Sequence, residues 1–203
     1  MKNKNNKDPF KTTCWYGQPI HDPYQVFAGC FSNSSVSFYR DMIRETLLHA
    51  TKAAIYKRTD PAAVYLCFKT IRSVMLAAYR IKNRTGVLLD ETLMHGPLYC
   101  NEPEDEGYCW ASFPRVLSEE AYRNPYHALL HFFEFQSPRQ WKASLQTIPG
   151  RACTFFVDPA ELDVLDLYLH LVQLMEAAHL INVREVTHVG GQLKPGMYLQ
   201  NEF

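Results

Sequence analysis

The chain has 203 residues, 47% of them apolar and 21% charged, with 21 Lys and Arg against 21 Asp and Glu, so it carries no net charge. That composition excludes a disordered or low-complexity chain. It also argues against a general nucleic-acid or membrane-surface binder, which needs an excess of cations. No uninterrupted apolar stretch reaches the roughly 18 residues of a membrane span.

Residues 1–9 are polar and rich in Asn and Lys, without the apolar centre of an export signal. The six cysteines, Cys14, Cys30, Cys67, Cys100, Cys109 and Cys153, form no Cys-x-x-Cys pair. They read as reduced thiols of a cytoplasmic protein. Cys67, set among apolar residues, reads as a small core residue.

Helix starts are the clearest local signal. Asp22-Pro23, Asp60-Pro61, Asn124-Pro125, Ser137-Pro138 and Asp158-Pro159 each set a capping side chain before a proline. The side-chain oxygen accepts the free N–H groups of a first turn, and proline fits N1 because its missing N–H would have had no partner there. Ser34-Ser35 is a sixth start. The spacing predicts helices at 23–31, 35–57, 61–84, 119–135 (where Pro125 allows a break), 138–148 and 159–182. In the third, Val64, Phe68, Ile71, Met75 and Ala78 share one face, and Gly86 follows as a left-handed C′ residue. The last is apolar almost all round and belongs at the centre of the fold. Residues 86–118, with several Gly and Pro and an acidic run at 102–106, read as a long connection with one or two short strands. In the tail, Gly190-Gly191 between 183–189 and 192–199 reads as a hairpin turn.

The two halves resemble each other. At a shift of 100, residues 64–102 match 164–202 at 10 of 39 positions, among them Met75, Ala77, Ala78, Ile81 and Arg84 with Met175, Ala177, Ala178, Ile181 and Arg184. Average usage predicts about 2 or 3 matches. Upstream, Asp22-Pro23-Tyr24 matches Asn124-Pro125-Tyr126 at a shift of 102, Phe31 matches Phe133, Ser35 matches Ser137, and Tyr39 faces Trp141. The expected architecture is mainly α: two tandem helical repeats packed with pseudo-twofold symmetry in one compact domain over 1–203. Repeat 1 covers about 22–102, a connecting segment 103–123, and repeat 2 about 124–202, with short β-hairpin-like segments after each repeat's long helix.

Asn124-Pro125-Tyr126, Phe132-Phe133-Glu134-Phe135, Trp141 and the run Leu174-Met175-Glu176-Ala177-Ala178-His179-Leu180-Ile181 carry a resemblance over about residues 120–181. They resemble a family of uncharacterised, mostly helical proteins of Bacteroidota. The resemblance implies a bacterial cytosolic protein and brings no activity with it.

Five residues could carry metal chemistry. His127, His131 and Glu134 are spaced i, i+4, i+7, so a continuous helix puts two imidazoles and a carboxylate on one face. Glu176 and His179 form a Glu-x-x-His pair, the spacing of helical di-metal carboxylate sites. The other reading is histidines at helix interfaces bonded to neighbouring carboxylates. A ferritin-like site needs a second such pair on another helix, and Glu185-x-x-His188 is expected beyond the helix end. The first-half counterparts, Gln25, Gly29, Ser32, Leu76 and Tyr79, confine this constellation to the second half.

Arg44 to His49, with four residues between, resembles the Arg–His spacing of HEPN endoribonucleases. In those enzymes the histidine assists proton transfer and the arginine stabilises phosphate charge. Arg123 to His127 is one residue short. There is no phosphate-binding glycine loop, no Gly-x-Ser-x-Gly and no His-Glu-x-x-His. The aromatic residues of the amino-terminal and linker regions could line a pocket or a partner surface. The expected function is a non-catalytic helical binding or regulatory module for a protein partner or small ligand, with no cofactor and no membrane. The alternative is an enzyme, either dependent on a divalent metal such as zinc or iron, or a HEPN-like ribonuclease.

Overall fold

The structure is a computed structural model that describes residues 14–52, 55–84, 113–155, 163–186, 188–189 and 192–193. It is mainly helical. In chain order the helices are α1 (Pro23–Asn33), α2 (Val36–Ala50), α3 (Pro61–Ile81), α4 (Glu119–Arg123), α5 (Pro125–Phe135), α6 (Pro138–Ala152) and α7 (Val164–Glu185). Beyond them His188–Val189 pairs antiparallel with Gln192–Leu193. The first arm of the expected tail hairpin is shorter than predicted, because residues 183–185 continue the last helix instead of starting a strand. Residues 187, 190–191 and 194–199 of that hairpin lie outside the described residues. So do residues 86–112 of the connection expected to hold strands over 86–118, and its described part, 113–118, carries none.

Four of the five cap–proline pairs begin helices. Asp22 accepts from the Tyr24 N–H at 2.9 Å, Asp60 from Ala62 at 2.9 Å, and Asn124 from Tyr126 at 3.2 Å. Ser137 closes a reciprocal capping box with Gln140. Ser35 caps α2 through the Phe38 N–H. Asp158-Pro159 lies outside the described residues, and Asp163 caps α7.

Several boundaries differ from expectation: α1 runs two residues longer, to Asn33, α3 stops three residues early, at Ile81, and α7 starts five residues late, after the Asp163 cap, and runs on to Glu185. Gly86, the expected C′ residue of α3, lies outside the described residues. Pro125 does divide the expected 119–135 helix: Asn124 ends α4 in extended backbone and caps α5. α2 stops at Ala50, seven residues early, because the chain turns to reach α6, where the Tyr56 N–H donates to the Ala152 carbonyl. α6 runs through Pro149 to Ala152. Proline there forfeits one helical N–H, but its own carbonyl still accepts from Cys153.

α1 lies on α3 and α5 on α7, while α2 packs chiefly on α7 and α6, and α6 on α3 and α2. The 15-residue helices α2 and α6 therefore cover the long helices α7 and α3 respectively. Met75, Ala77, Ala78, Met175, Ala177 and Ala178 are all fully buried. One aromatic donor recurs: the Trp141 indole N–H donates to the Phe132 carbonyl at 2.8 Å, and nine residues likewise separate the Tyr39 hydroxyl from the Cys30 carbonyl it reaches at 3.4 Å.

By length and composition alone, α3 and α7 would each pass as a membrane span. That differs from the expectation of none, because a helix-length window tolerates a charged residue or two that an uninterrupted apolar run does not. In this fold more than half of each such window is buried against protein.

Candidate functional site

The five residues singled out for metal chemistry fall into two groups. His127, His131 and Glu134 stand on the outer face of α5. His131 Nδ1 lies 3.0 Å from Glu134 Oε2, and both side chains are 70% exposed. His127 Nδ1 is 2.9 Å from Glu120 Oε1, a carboxylate carried by α4. Such exposed pairs contribute little to stability. Glu176 and His179 instead point into the core from α7. Among the described residues, no group of three or more His, Cys, Asp or Glu side chains is placed to hold a metal ion.

Glu176 has a structural explanation. Its side chain is fully buried 3.4 Å from the Arg40 Nε on α2, itself 6% exposed. Its two oxygens accept the backbone N–H groups of Arg115 and Val116 at 2.9 and 3.0 Å. Arg40 in turn donates to the Phe113 carbonyl at 3.0 Å. One buried ion pair thus ties α2, α7 and the main chain of residues 113–116 together. Burial pushes the Glu176 carboxyl above the usual carboxylate range, while the two amides and Arg40 pull it back. Burial likewise lowers the Arg40 guanidinium, against the pull of Glu176. The sequence reading missed Arg40. The available signal was that an acid in an otherwise apolar helix needs a cation and donors.

His179 is 9% exposed and meets the Phe31 ring edge to face, with centroids 4.9 Å apart. The ribonuclease-like pairs are taken up locally. Arg44 bridges Asp41 and Glu45 on its own helix. The His49 Nδ1 is 2.8 Å from the Glu45 carbonyl, and its ring packs edge-on to Tyr56. Arg123 pairs with Glu119 at 2.7 Å, while His127 is held by Glu120.

A second polar group, absent from the sequence reading, links the halves. Arg84 donates to the Tyr24 hydroxyl at 2.6 Å, the Tyr24 and Tyr126 hydroxyls are 3.0 Å apart, and Tyr126 donates to Glu185 at 2.6 Å. Arginine can only donate and a carboxylate can only accept, so the direction is fixed: Arg84 to Tyr24 to Tyr126 to Glu185. Burial, reinforced by Glu185, raises the Tyr126 phenol. This is a bridge between two matched tyrosines rather than an open reaction centre.

The described cysteines are free thiols. Burial pushes Cys30 and Cys67 up to about 12. Thiolate is the nucleophilic form, so neither is an activated nucleophile near neutral pH. Comparison with protein-family models, curated proteins and solved structures finds no match to this chain.

Proposed function

We propose that this chain is a non-catalytic binding or regulatory module of the bacterial cytoplasm. Its scaffold is two fused copies of one three-helix unit related by a pseudo-twofold, with a hairpin-like segment after each long helix. One observation carries the functional reading: Glu176, the most deeply buried acid among the described residues, has its oxygens engaged by Arg40 and two backbone amides. A carboxylate committed in that way holds the fold together and is not free for metal or proton chemistry. The four described thiols, all free, support a reducing compartment.

Matched lengths support the duplication. α1 and α5 each have 11 residues, α2 and α6 each 15, and α3 and α7 have 21 and 22. The crosswise packing and the Tyr24–Tyr126 contact are what a fused dimer would have near its axis.

Two measurements on purified protein test the functional reading. Zinc, iron and manganese should each stay below about a tenth of an equivalent, and chelation should leave thermal stability unchanged. RNA incubated with the protein should stay intact. Stoichiometric metal lost in His179→Ala, or RNA cleavage abolished by His49→Ala, would overturn it.

A further inference from the structure

The zero net charge of the chain conceals an uneven surface. α3 and α6 pack on each other. Together they carry six cations (Lys69, Arg72, Arg80, Arg139, Lys142 and Arg151) and not one carboxylate. The other crosswise pair, α2 and α7, has three arginines against five carboxylates. The cations of α3 and α6 are ordered. Tyr65, Lys69 and Arg72 follow at i, i+4, i+7 along α3, so they share a face. Arg139, Lys142 and Gly150, at i, i+3 and i+11, share a face of α6. The two faces meet where the Tyr65 hydroxyl would lie 3.7 Å from a Cβ at Gly150.

Lys69, Arg139 and Lys142 are exposed and Arg72 is partly so. None of these four is in an ion pair among the described residues. Tyr65 is 48% and Leu66 54% exposed, which leaves one aromatic ring and apolar surface among the cations. The connection before α3 adds Lys57 and Arg58 and is tied to the end of α6 through Tyr56. The carboxylates nearby in the chain are engaged: Asp60 caps α3, and Glu45 is held by Arg44 and Arg58.

We propose that the α3–α6 face binds single-stranded nucleic acid. Cations spaced along a surface track phosphates, and exposed rings stack on bases of any sequence. An acidic protein would use the cations but has no need of an exposed tyrosine between them. The proposal names a partner for the module described above and rests on that reading in one respect: the strand is held and released uncut.

The test is fluorescence anisotropy with a labelled oligouridylate of about 15 nucleotides, a length that spans a typical single-strand site. With four phosphate contacts, the logarithm of affinity should fall against the logarithm of salt with a slope of about −3. Lys69→Gln and Lys142→Gln should each reduce that slope by about 0.7. Tyr65→Ala should weaken binding about tenfold and leave the slope alone. Arg123→Gln, on α4, should change neither. All of these residues are solvent-facing, and matched circular-dichroism melts confirm that the variants fold. Absence of binding at low salt, indifference to the face variants, or equal competition by polyglutamate would overturn the assignment. The recovered RNA is also run on a gel: bound and intact supports both readings, whereas bound and cleaved supports this face and overturns the non-catalytic one.

Discussion

Replacing Glu176 by alanine should be among the costliest single changes in this protein. At 3.4 Å and an effective dielectric constant near 20, the attraction to Arg40 is about 5 kcal/mol before desolvation is counted. Desolvation of both groups offsets much of that, so the intact pair contributes modestly. Removing one partner is different, because the other stays buried without its counter-charge, at a cost of about 3–5 kcal/mol. The Arg115 and Val116 amides lose their acceptor too, but they are only partly buried and water can reach them, so they add less than a fully buried amide would. For a chain of this size, about 3–5 kcal/mol lowers Tm by on the order of 10 °C. Urea unfolding followed by circular dichroism gives the free energy. The double variant Arg40→Met, Glu176→Met removes both charges and should lose less than the two single changes added together, with a coupling above about 1 kcal/mol. A loss under about 1 kcal/mol in Glu176→Ala, or strict additivity in the cycle, would refute the claim that this pair fastens residues 113–116 to the core.

Further predictions concern packing, hydrogen bonding and pH. Ala78→Leu and Ala178→Leu insert bulk at fully buried positions on the two long helices and should each cost about 1–3 kcal/mol, read as a drop in the urea midpoint. Trp141→Phe strands the buried Phe132 carbonyl and leaves a void, for a loss of about 1–3 kcal/mol. Tyr39→Phe, which breaks only a 3.4 Å contact, should cost less in the same titration. Cys30 and Cys67 hold their protons up to about 12 in the fold, whereas unfolded thiols lose theirs near 8.5. Their contribution is therefore complete below pH 8.5 and is lost as pH rises towards 12, at up to ~3 kcal/mol per pH unit for the two thiols. Urea midpoints at pH 8 and pH 10 measure it, and equal midpoints would contradict it.

The helix starts were legible because their chemistry is local. Asp22, Asp60, Asn124 and Ser137 each sit beside the proline and the N–H groups they serve. Endings were harder. Nothing within 50–57 says that α2 must stop, since the reason is a hydrogen bond to Ala152, far along the chain. The Pro149-Gly150 pair looks like a terminator, yet α6 continues for one more turn over it. The candidate site shows the same division. Spacing placed His131 beside Glu134 and put Glu176 on one face with His179, because those relations lie within single helices. Spacing could not reveal that Glu176 meets Arg40 and the amides of 115 and 116, because those partners come from elements far away in the chain. Tyr24 and Tyr126 could be aligned in the sequence, each two residues after a capping side chain, but the contact between the two hydroxyls was not legible there.

The crosswise packing has a consequence for how the protein is made. α2 finds its cover on α6 and α7, yet Ala50 is made long before either helix is complete, Val164 coming last. At roughly 5–20 residues per second the delay is on the order of 10 s. During that interval the buried face of α2, which carries Met42, Ile43 and Leu47, lacks part of the cover it has in the finished fold. Apolar surface held open for that long is what holdase chaperones recognise and what neighbouring nascent chains adhere to. Translation speed between codons 50 and 164, rather than equilibrium stability, should therefore govern how much of the newly synthesised protein remains soluble.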